Sequence, residues 1–215
     1  MKIKLDRRLN AILGHINVGE RVCDIGTDHG KLAVLAVGKT GEMVVASDIS
    51  PNSIVKAKRL ANENGCADKM DFRVGDGLEV IASNEVDTVV IAGIGGREII
   101  DILSKSKSVF SKYILVPHQH TIELRRYLIS TGFKIQRDYM LKSDTRFYQI
   151  FVVSGYETEN REYSDFEMMF GLERNDDFIS YKNVRLNKLR GLLKTASVER
   201  LSKIQNEISL LEENL

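Results

Sequence analysis

The segment from Arg21 to Val34 reads RVCDIGTDHGKLAV. Val22 to Ile25 is a short apolar run of strand character, and a run of helical periodicity opens at Lys31. Strand, glycine turn and helix in this order form the opening unit of a doubly wound sheet. The turn itself, DIGTDHG, departs from a phosphate-binding loop. Such a loop needs bare backbone N–H groups and a second glycine for close approach of a pyrophosphate. Here Asp28 and His29 stand in that place. Asp24 and Asp28 together would repel a pyrophosphate and suit a cation.

The same unit repeats outward from this segment. MVVASDI is a second strand, and Ser50-Pro51 opens a helix as N-cap and first-turn proline, with Ile54, Ala57, Leu60 and Ala61 inward. Gly65 ends it. DFRV is a third strand and VDTVVIAG a fourth, uniformly apolar as a strand covered on both faces should be. YILVP is a fifth, followed by a helix around 123–130. Then FKIQRDYML and RFYQIFVVS are joined by Lys142-Ser143-Asp144-Thr145, too short for anything but antiparallel pairing. The expected fold is α/β, a Rossmann-like doubly wound sheet, mostly parallel with one antiparallel strand near its edge.

Two further segments flank the sheet. At the N-terminus a helix is expected over 5–16, with Leu5, Leu9, Ile12, Leu13 and Ile16 on one face and Arg7 and Arg8 on the polar side. Beyond Tyr156 no strand pattern appears. Leu186, Leu189, Leu193 and Ala196 share one helical spacing, and Leu201, Ile204, Ile208, Leu211 and Leu215 another. The phase breaks at Ser197, a plausible N-cap. The tail reads as a coiled-coil-like helical hairpin, open to three uses: packing appendage, dimer seam or substrate arm. The expected division is a ligand-binding domain over 1–156 and a helical domain over 157–215.

Composition sets bounds on function. The chain has 215 residues, 43% hydrophobic and 28% charged, enough for one well-buried domain and a modest appendage. No stretch is apolar enough to span a bilayer, and the basic N-terminus lacks the apolar core of a signal peptide. Cys23 and Cys66 form no CxxC pair and read as buried thiols of a cytoplasmic protein. The net charge of +1 does not by itself indicate nucleic acid. It hides an acidic stretch over 157–177 and a basic one over 182–203.

Ligands of an open parallel sheet bind beyond the carboxyl ends of its strands. Four turns lie there: Asp24 to Gly30, Asp48, Gly75-Asp76-Gly77, and Gly93-Ile94-Gly95-Gly96. A carboxylate at Asp48 can accept both hydroxyls of a ribose, and Asp76 can accept from an adenine amino group. S-adenosylmethionine fits this set, since it carries a ribose, an adenine, an ammonium and a sulfonium, and no phosphate. An H-x-H metal site at His118 and His120 lacks completing ligands, so no metal is expected.

The ordered set DIGTDHGKL, ASDIS, GDGLEVI, IAGIGG and ILVPH closely resembles the TrmK family, tRNA methyltransferases acting on N1 of adenine 22. Lys4-Leu5-Asp6-Arg7-Arg8-Leu9 resembles its N-terminal K-L-S-x-R-L pattern, and the tail its helical C-terminal domain. The resemblance implies that Asp24, Gly26, Thr27, Asp28, Asp48, Ile49, Asp76, Gly77 and Gly93 bind the donor. A reaction face is expected at Asp28 and His29, joined by Pro117 and by His118 as a replacement hydrogen-bonding group, with the Gly93–Gly96 turn as floor of the base pocket. Gly95 and Gly96 would then meet tRNA, and Arg7, Arg8, Arg185, Lys188 and Arg190 its phosphates. The family's Q-P-N run is Val116-Pro117-His118 here, so only Pro117 carries over. A competing reading has Asp28 capping the helix with His29 packed beneath it. The expected partners are tRNA and S-adenosylmethionine, with no membrane, in a monomer or weak dimer. A small-molecule methyltransferase and an inactive donor-binding module remain as alternatives.

Overall fold

The structure, a computed structural model, describes residues 3–157 and 161–213. Seven strands form one sheet: β1 (Val22–Ile25), β2 (Val44–Asp48), β3 (Met70–Val74), β4 (Thr88–Ala92), β5 (Lys112–Val116), β6 (Lys134–Ser143) and β7 (Arg146–Ser154). Their spatial order is β3-β2-β1-β4-β5-β7-β6. The first five run parallel, and β7 lies antiparallel between β5 and β6. β7 is the one reversed strand because a tight turn at Asp144 and Thr145 sends the chain straight back. Asp144 has φ +53°, the left-handed backbone such a turn demands. Lys142 and Ser143, expected in the link, belong to β6 instead.

The helices are α1 (Arg7–Gly14), α2 (Lys31–Thr40), α3 (Pro51–Glu63), α4 (Gly96–Lys105), α5 (Thr121–Ser130), α6 (Asp165–Phe170), α7 (Asp176–Leu192) and α8 (Val198–Glu213). Alternation along the strands sorts the core onto two faces. Val22, Val44, Ala46, Val90 and Ile114 pack with α1, α2 and α3. Cys23, Val45, Val89, Ile91 and Leu115 pack with α4 and α5. α1 begins later than its apolar spacing suggests, because the Asp6 carboxylate accepts from the Leu9 N–H at 2.7 Å and fixes the start there. Leu5 is left outside the helix, 48% exposed. Cys23 is fully buried, which pushes its thiol pKa up, whereas Cys66 is only partly buried. No helix among the described residues is long and apolar enough to cross a membrane.

The tail folds onto β6 and β7. α6, too short for periodicity to reveal, starts with a capping box between Ser164 and Glu167. It is fastened by a fully buried ion pair. Arg125 Nε donates to Asp138 Oδ2 at 2.6 Å, and Arg125 Nη1 donates to the Met168 carbonyl at 2.6 Å. Gln149 also donates to Asp138. Burial raises the Asp138 carboxyl pKa despite the guanidinium beside it. α7 and α8 form the expected hairpin, breaking at 193–197, and Leu186, Leu189 and Leu211 are buried in it with Phe166, Phe170 and Phe178. Leu215 lies outside the described residues.

Candidate active site

The acid turn after β1 is held by its neighbour strand. The N–H groups of Gly26 and Thr27 both donate to the Ser47 carbonyl at 2.9 Å, and Gly26 takes φ +72° to allow it. Asp24 is buried, and its Oδ2 accepts from Thr27 Oγ1 at 2.7 Å. Burial pushes its carboxyl pKa up to about 6, against the opposing Thr27 hydrogen bond and the Arg8 charge. Asp48 then fastens the turn from β2. Its Oδ2 accepts from the Asp28 N–H at 3.0 Å, and its Oδ1 from the Ser50 N–H at 2.9 Å. Ser50 therefore starts α3 without a side-chain capping bond of its own.

Asp28 itself does not cap a helix. The N-cap of α2 is Gly30, with no side-chain hydrogen bond, and Gly30 is fixed there because a Cβ would lie 2.8 Å from Ala57 Cβ. The Asp28 side chain is 69% exposed and sits 3.3 Å from His29 Nδ1, which is 48% exposed. Both side chains line a cleft, so the alternative of a helix cap with a packed histidine is excluded by position.

The turns after β4 and β5 close against each other. The Gly93 N–H donates to the Val116 carbonyl at 3.2 Å, His118 N–H to the Ile94 carbonyl at 2.9 Å, and Gly96 N–H to the Gln119 carbonyl at 2.8 Å. Gly95 and Gly96 are buried in this seam, and a Cβ on Gly96 would lie 2.5 Å from the His120 carbonyl oxygen. Their place is one of backbone packing, not the tRNA-facing surface expected of them. Pro117 is buried with them, while His118 is exposed and lines the cleft.

The cleft has a volume of about 460 Å³ and runs from the acid turn to β7. Asp24, Gly26, Thr27, Asp28, His29, Gly93 and His118 line it together. Asp48 is joined to it through the Asp28 bond. Ile49, Asp76 and Gly77 follow along the neighbouring strand ends, where Gly75 N–H donates to the Asp48 carbonyl at 3.1 Å. There Asp76 pairs with Lys105 at 3.4 Å and Ile49 is 71% exposed.

The expected phosphate contacts divide. Arg8 turns inward: its guanidinium lies 5.4 Å from the centre of the Tyr148 ring, and its Nε is buried without a hydrogen-bond partner. Arg7 instead pairs with Asp177 at 3.0 Å, joining α1 to α7. Arg185 and Arg190 cross to Glu207 and Glu212 at 2.6 and 2.7 Å and staple α7 to α8. Lys188 is exposed. Among the lining residues not anticipated as part of the site are Lys4, Asp6, Lys31, Arg146 and Tyr148. Arg146 and Tyr148 alternate along β7, so their shared face was legible, but not which surface that face meets.

Chemically, the cleft brings carboxylates (Asp6, Asp24, Asp28 and, behind them, Asp48) together with cations (Lys4, Arg8, Lys31, Arg146). Among the described residues no group of three His, Cys, Asp or Glu side chains could hold a metal ion. A zwitterionic nucleoside matches this polarity. The carboxylates suit a cationic end, and the buried Arg8 Nε, which has no hydrogen-bond partner, suits an acceptor such as a carboxylate.

A seven-stranded sheet with one reversed strand, an acid turn after β1 and a carboxylate at the end of β2 define a class I methyltransferase-type domain. Residues 5–151 match the family model described as "Methyltransferase domain", more than half of the chain. The tRNA (adenine(22)-N(1))-methyltransferase of Bacillus subtilis is 32% identical over 155 residues, covering 70% of this chain and 65% of that protein. That match thus spans slightly less than two thirds of the relative's length. The crystal structure of the B. subtilis m1A22 tRNA methyltransferase TrmK superposes with TM-score 0.83 at 27% identity, over 99% of each chain. The M. capricolum TrmK structure in complex with S-adenosyl-homocysteine gives TM-score 0.84 at 25% identity, over 97% of this chain and 96% of that one. The chain belongs to the methyltransferase-domain family, and over nearly its whole length it is similar to the solved TrmK structures.

Proposed function

We infer that this protein transfers a methyl group from S-adenosylmethionine to N1 of adenine 22 in tRNA. The observation that carries the reading is the acid turn fastened at both ends, Asp24 to Thr27 and Asp28 to Asp48, in one cleft with a guanidinium whose buried Nε has no hydrogen-bond partner. That arrangement rejects a pyrophosphate and accepts a cationic, phosphate-free donor. Asp24, Gly26, Thr27, Asp28 and Gly93 would hold the donor's amino-acid end with Arg8. Asp48 would take its ribose, and Ile49, Asp76 and Gly77 its adenine.

When bound, S-adenosylmethionine supplies an electrophilic methyl group on a sulfonium. Adenine N1 attacks through a lone pair and needs no prior deprotonation, so the chain's task is alignment. Positive charge develops on the purine during transfer. The exposed carboxylate of Asp28, beside His29, sits on the cleft wall where it can stabilise that charge, with His118 opposite on the β5 turn. N1 lies on the Watson–Crick edge, so the base enters flipped out of its stack. Residues 1–156 act as the catalytic domain and 157–215 as a helical arm whose exposed Lys188 offers a phosphate contact. The reading places the enzyme in the cytoplasm, as a monomer or weak dimer.

Tritiated methyl transfer to bulk unmodified tRNA, followed by nucleoside identification, tests this function. Label in 1-methyladenosine at position 22 is expected. Label only in small molecules, or donor binding without transfer, overturns it. Asp28→Ala tests the wall: turnover is expected to fall, and unchanged turnover with normal donor affinity would remove Asp28 from the mechanism.

A further inference from the structure

Most arginines of this chain are held by a carboxylate, on the surface as well as in the core. The cleft differs. Lys4, Arg8, Lys31 and Arg146 all line it, and none of the four forms a salt bridge among the described residues, although Asp6, Asp24 and Asp28 line the same cleft. Arg8 is the half-buried one, matched above to the donor's carboxylate. Lys4 and Arg146 are exposed and have no such match.

They come from unrelated parts of the fold. Lys4 precedes α1, and Arg146 is the first residue of β7, positioned by the tight turn at Asp144 and Thr145. Tyr148, two residues on, faces the same cleft and carries the Arg8 guanidinium on its ring. Lys4 and Arg146 converge on about 460 Å³ beside Arg8 and Lys31, and the lining carboxylates form no salt bridge with them, so an anion entering the cleft meets several cations able to bind it. The donor brings one carboxylate and no phosphate. The other anion that reaches this cleft with a base is the phosphate of the nucleotide carrying it, and in so small a space that phosphate belongs to the target nucleotide.

We propose that Lys4 and Arg146 bind the phosphate of the flipped-out target nucleotide, with Tyr148 and the stacked Arg8 guanidinium forming the adjoining platform. A clamp on this phosphate fixes the base against the acid turn. It also helps hold it out of its stack, with no need for contacts that read sequence. The proposal rests on the tRNA-methylating reading above.

Arg146→Ala, Lys4→Ala, their double variant and Arg146→Lys separate the two. The readouts are methyl transfer to tRNA, the salt dependence of tRNA binding, and calorimetric binding of S-adenosyl-homocysteine. Each alanine variant is expected to raise the KM for tRNA several-fold and to flatten the log K against log salt slope by about 0.7–1, the loss of one phosphate contact. Arg146→Lys is expected to recover most of the slope, and S-adenosyl-homocysteine affinity to stay within about twofold. Wild-type KM and slope in the double variant overturn the clamp. So does a parallel loss of S-adenosyl-homocysteine binding, which would assign these cations to the donor. If the wild-type protein methylates no tRNA, the function above fails. The clamp is then judged by binding of a single-stranded adenosine-containing RNA, which the double variant loses if the clamp is right and keeps if it is wrong.

Discussion

Asp48→Asn isolates the bond on which the acid turn depends. The substitution keeps the side chain's size and removes its charge. In the native protein both carboxylate oxygens accept from backbone N–H groups, Asp28 at 3.0 Å and Ser50 at 2.9 Å. An amide has one oxygen, so it serves one of these donors and turns its NH₂ toward the other. A hydrogen bond to a charged group contributes about 1.5–3 kcal/mol. Asp48 is half-buried, so about 2 kcal/mol is a fair value for the bond lost. At about 1.4 kcal/mol per factor of ten, that corresponds to roughly 30-fold in an equilibrium constant. The part that reaches the ligand is the cost of reordering the Asp28 turn on binding, together with any weakened ribose contact. S-adenosyl-homocysteine is therefore expected to bind about 10- to 30-fold more weakly by isothermal calorimetry, with melting lowered by about 4–8 °C. Binding within about threefold of wild type, in a protein that has lost the bond, would refute the idea that Asp48 organises the donor site.

Three other outcomes follow from the same geometry. Asp24 has its pKa raised to about 6 mainly by burial, so the folded state binds the extra proton between its ordinary carboxylate range and pH 6. Its contribution to stability therefore falls as pH rises from about 4 to 6 and is flat above, while affinity for the cationic donor rises over the upper part of that range. Asp24→Asn should flatten both profiles in denaturant titrations and donor-binding curves. Gly96→Ala places a methyl 2.5 Å from the His120 carbonyl oxygen, and forced overpacking costs about 1–3 kcal/mol, read as a lower urea midpoint with reduced transfer. Lys188→Glu is the clean probe of the helical arm, because reversing Arg185 or Arg190 would also break a staple between α7 and α8. It should weaken tRNA binding and flatten its salt slope at unchanged melting temperature, and wild-type binding would show that α7 is no RNA arm.

The legible part of the molecule is the part governed by local rules. Strand runs and helical runs follow period two and period 3.6, so five parallel strands and a closing hairpin could be read from spacing alone, although β3 is followed by a 3-10 turn over Gly77–Val80 and not by an α-helix. Boundaries were read less well where a single side chain decided them. Asp6 starts α1 two residues after Leu5, and the left-handed Asp144 shortens the hairpin turn. The six-residue α6 escaped because its place is set by a buried Arg125–Asp138 pair and the Met168 carbonyl, contacts remote in sequence.

By itself the sequence determined that a parallel sheet carries an acid turn in place of a phosphate loop, since the charge of Asp24 and Asp28 and the flexibility of Gly26 belong to adjacent residues. It could not determine where a basic side chain on a helix would point, because that depends on what packs beside it. Tertiary structure turned Arg8 into the cleft, tied Arg7 to Asp177, and spent Arg185 and Arg190 on the hairpin. It buried Gly95 and Gly96 between two turns and brought Arg146 and Tyr148 from a reversed strand to the reaction cleft. Strand order made that last meeting possible: inserting β7 beside β5 sets its first residues next to strand ends that lie far away along the chain.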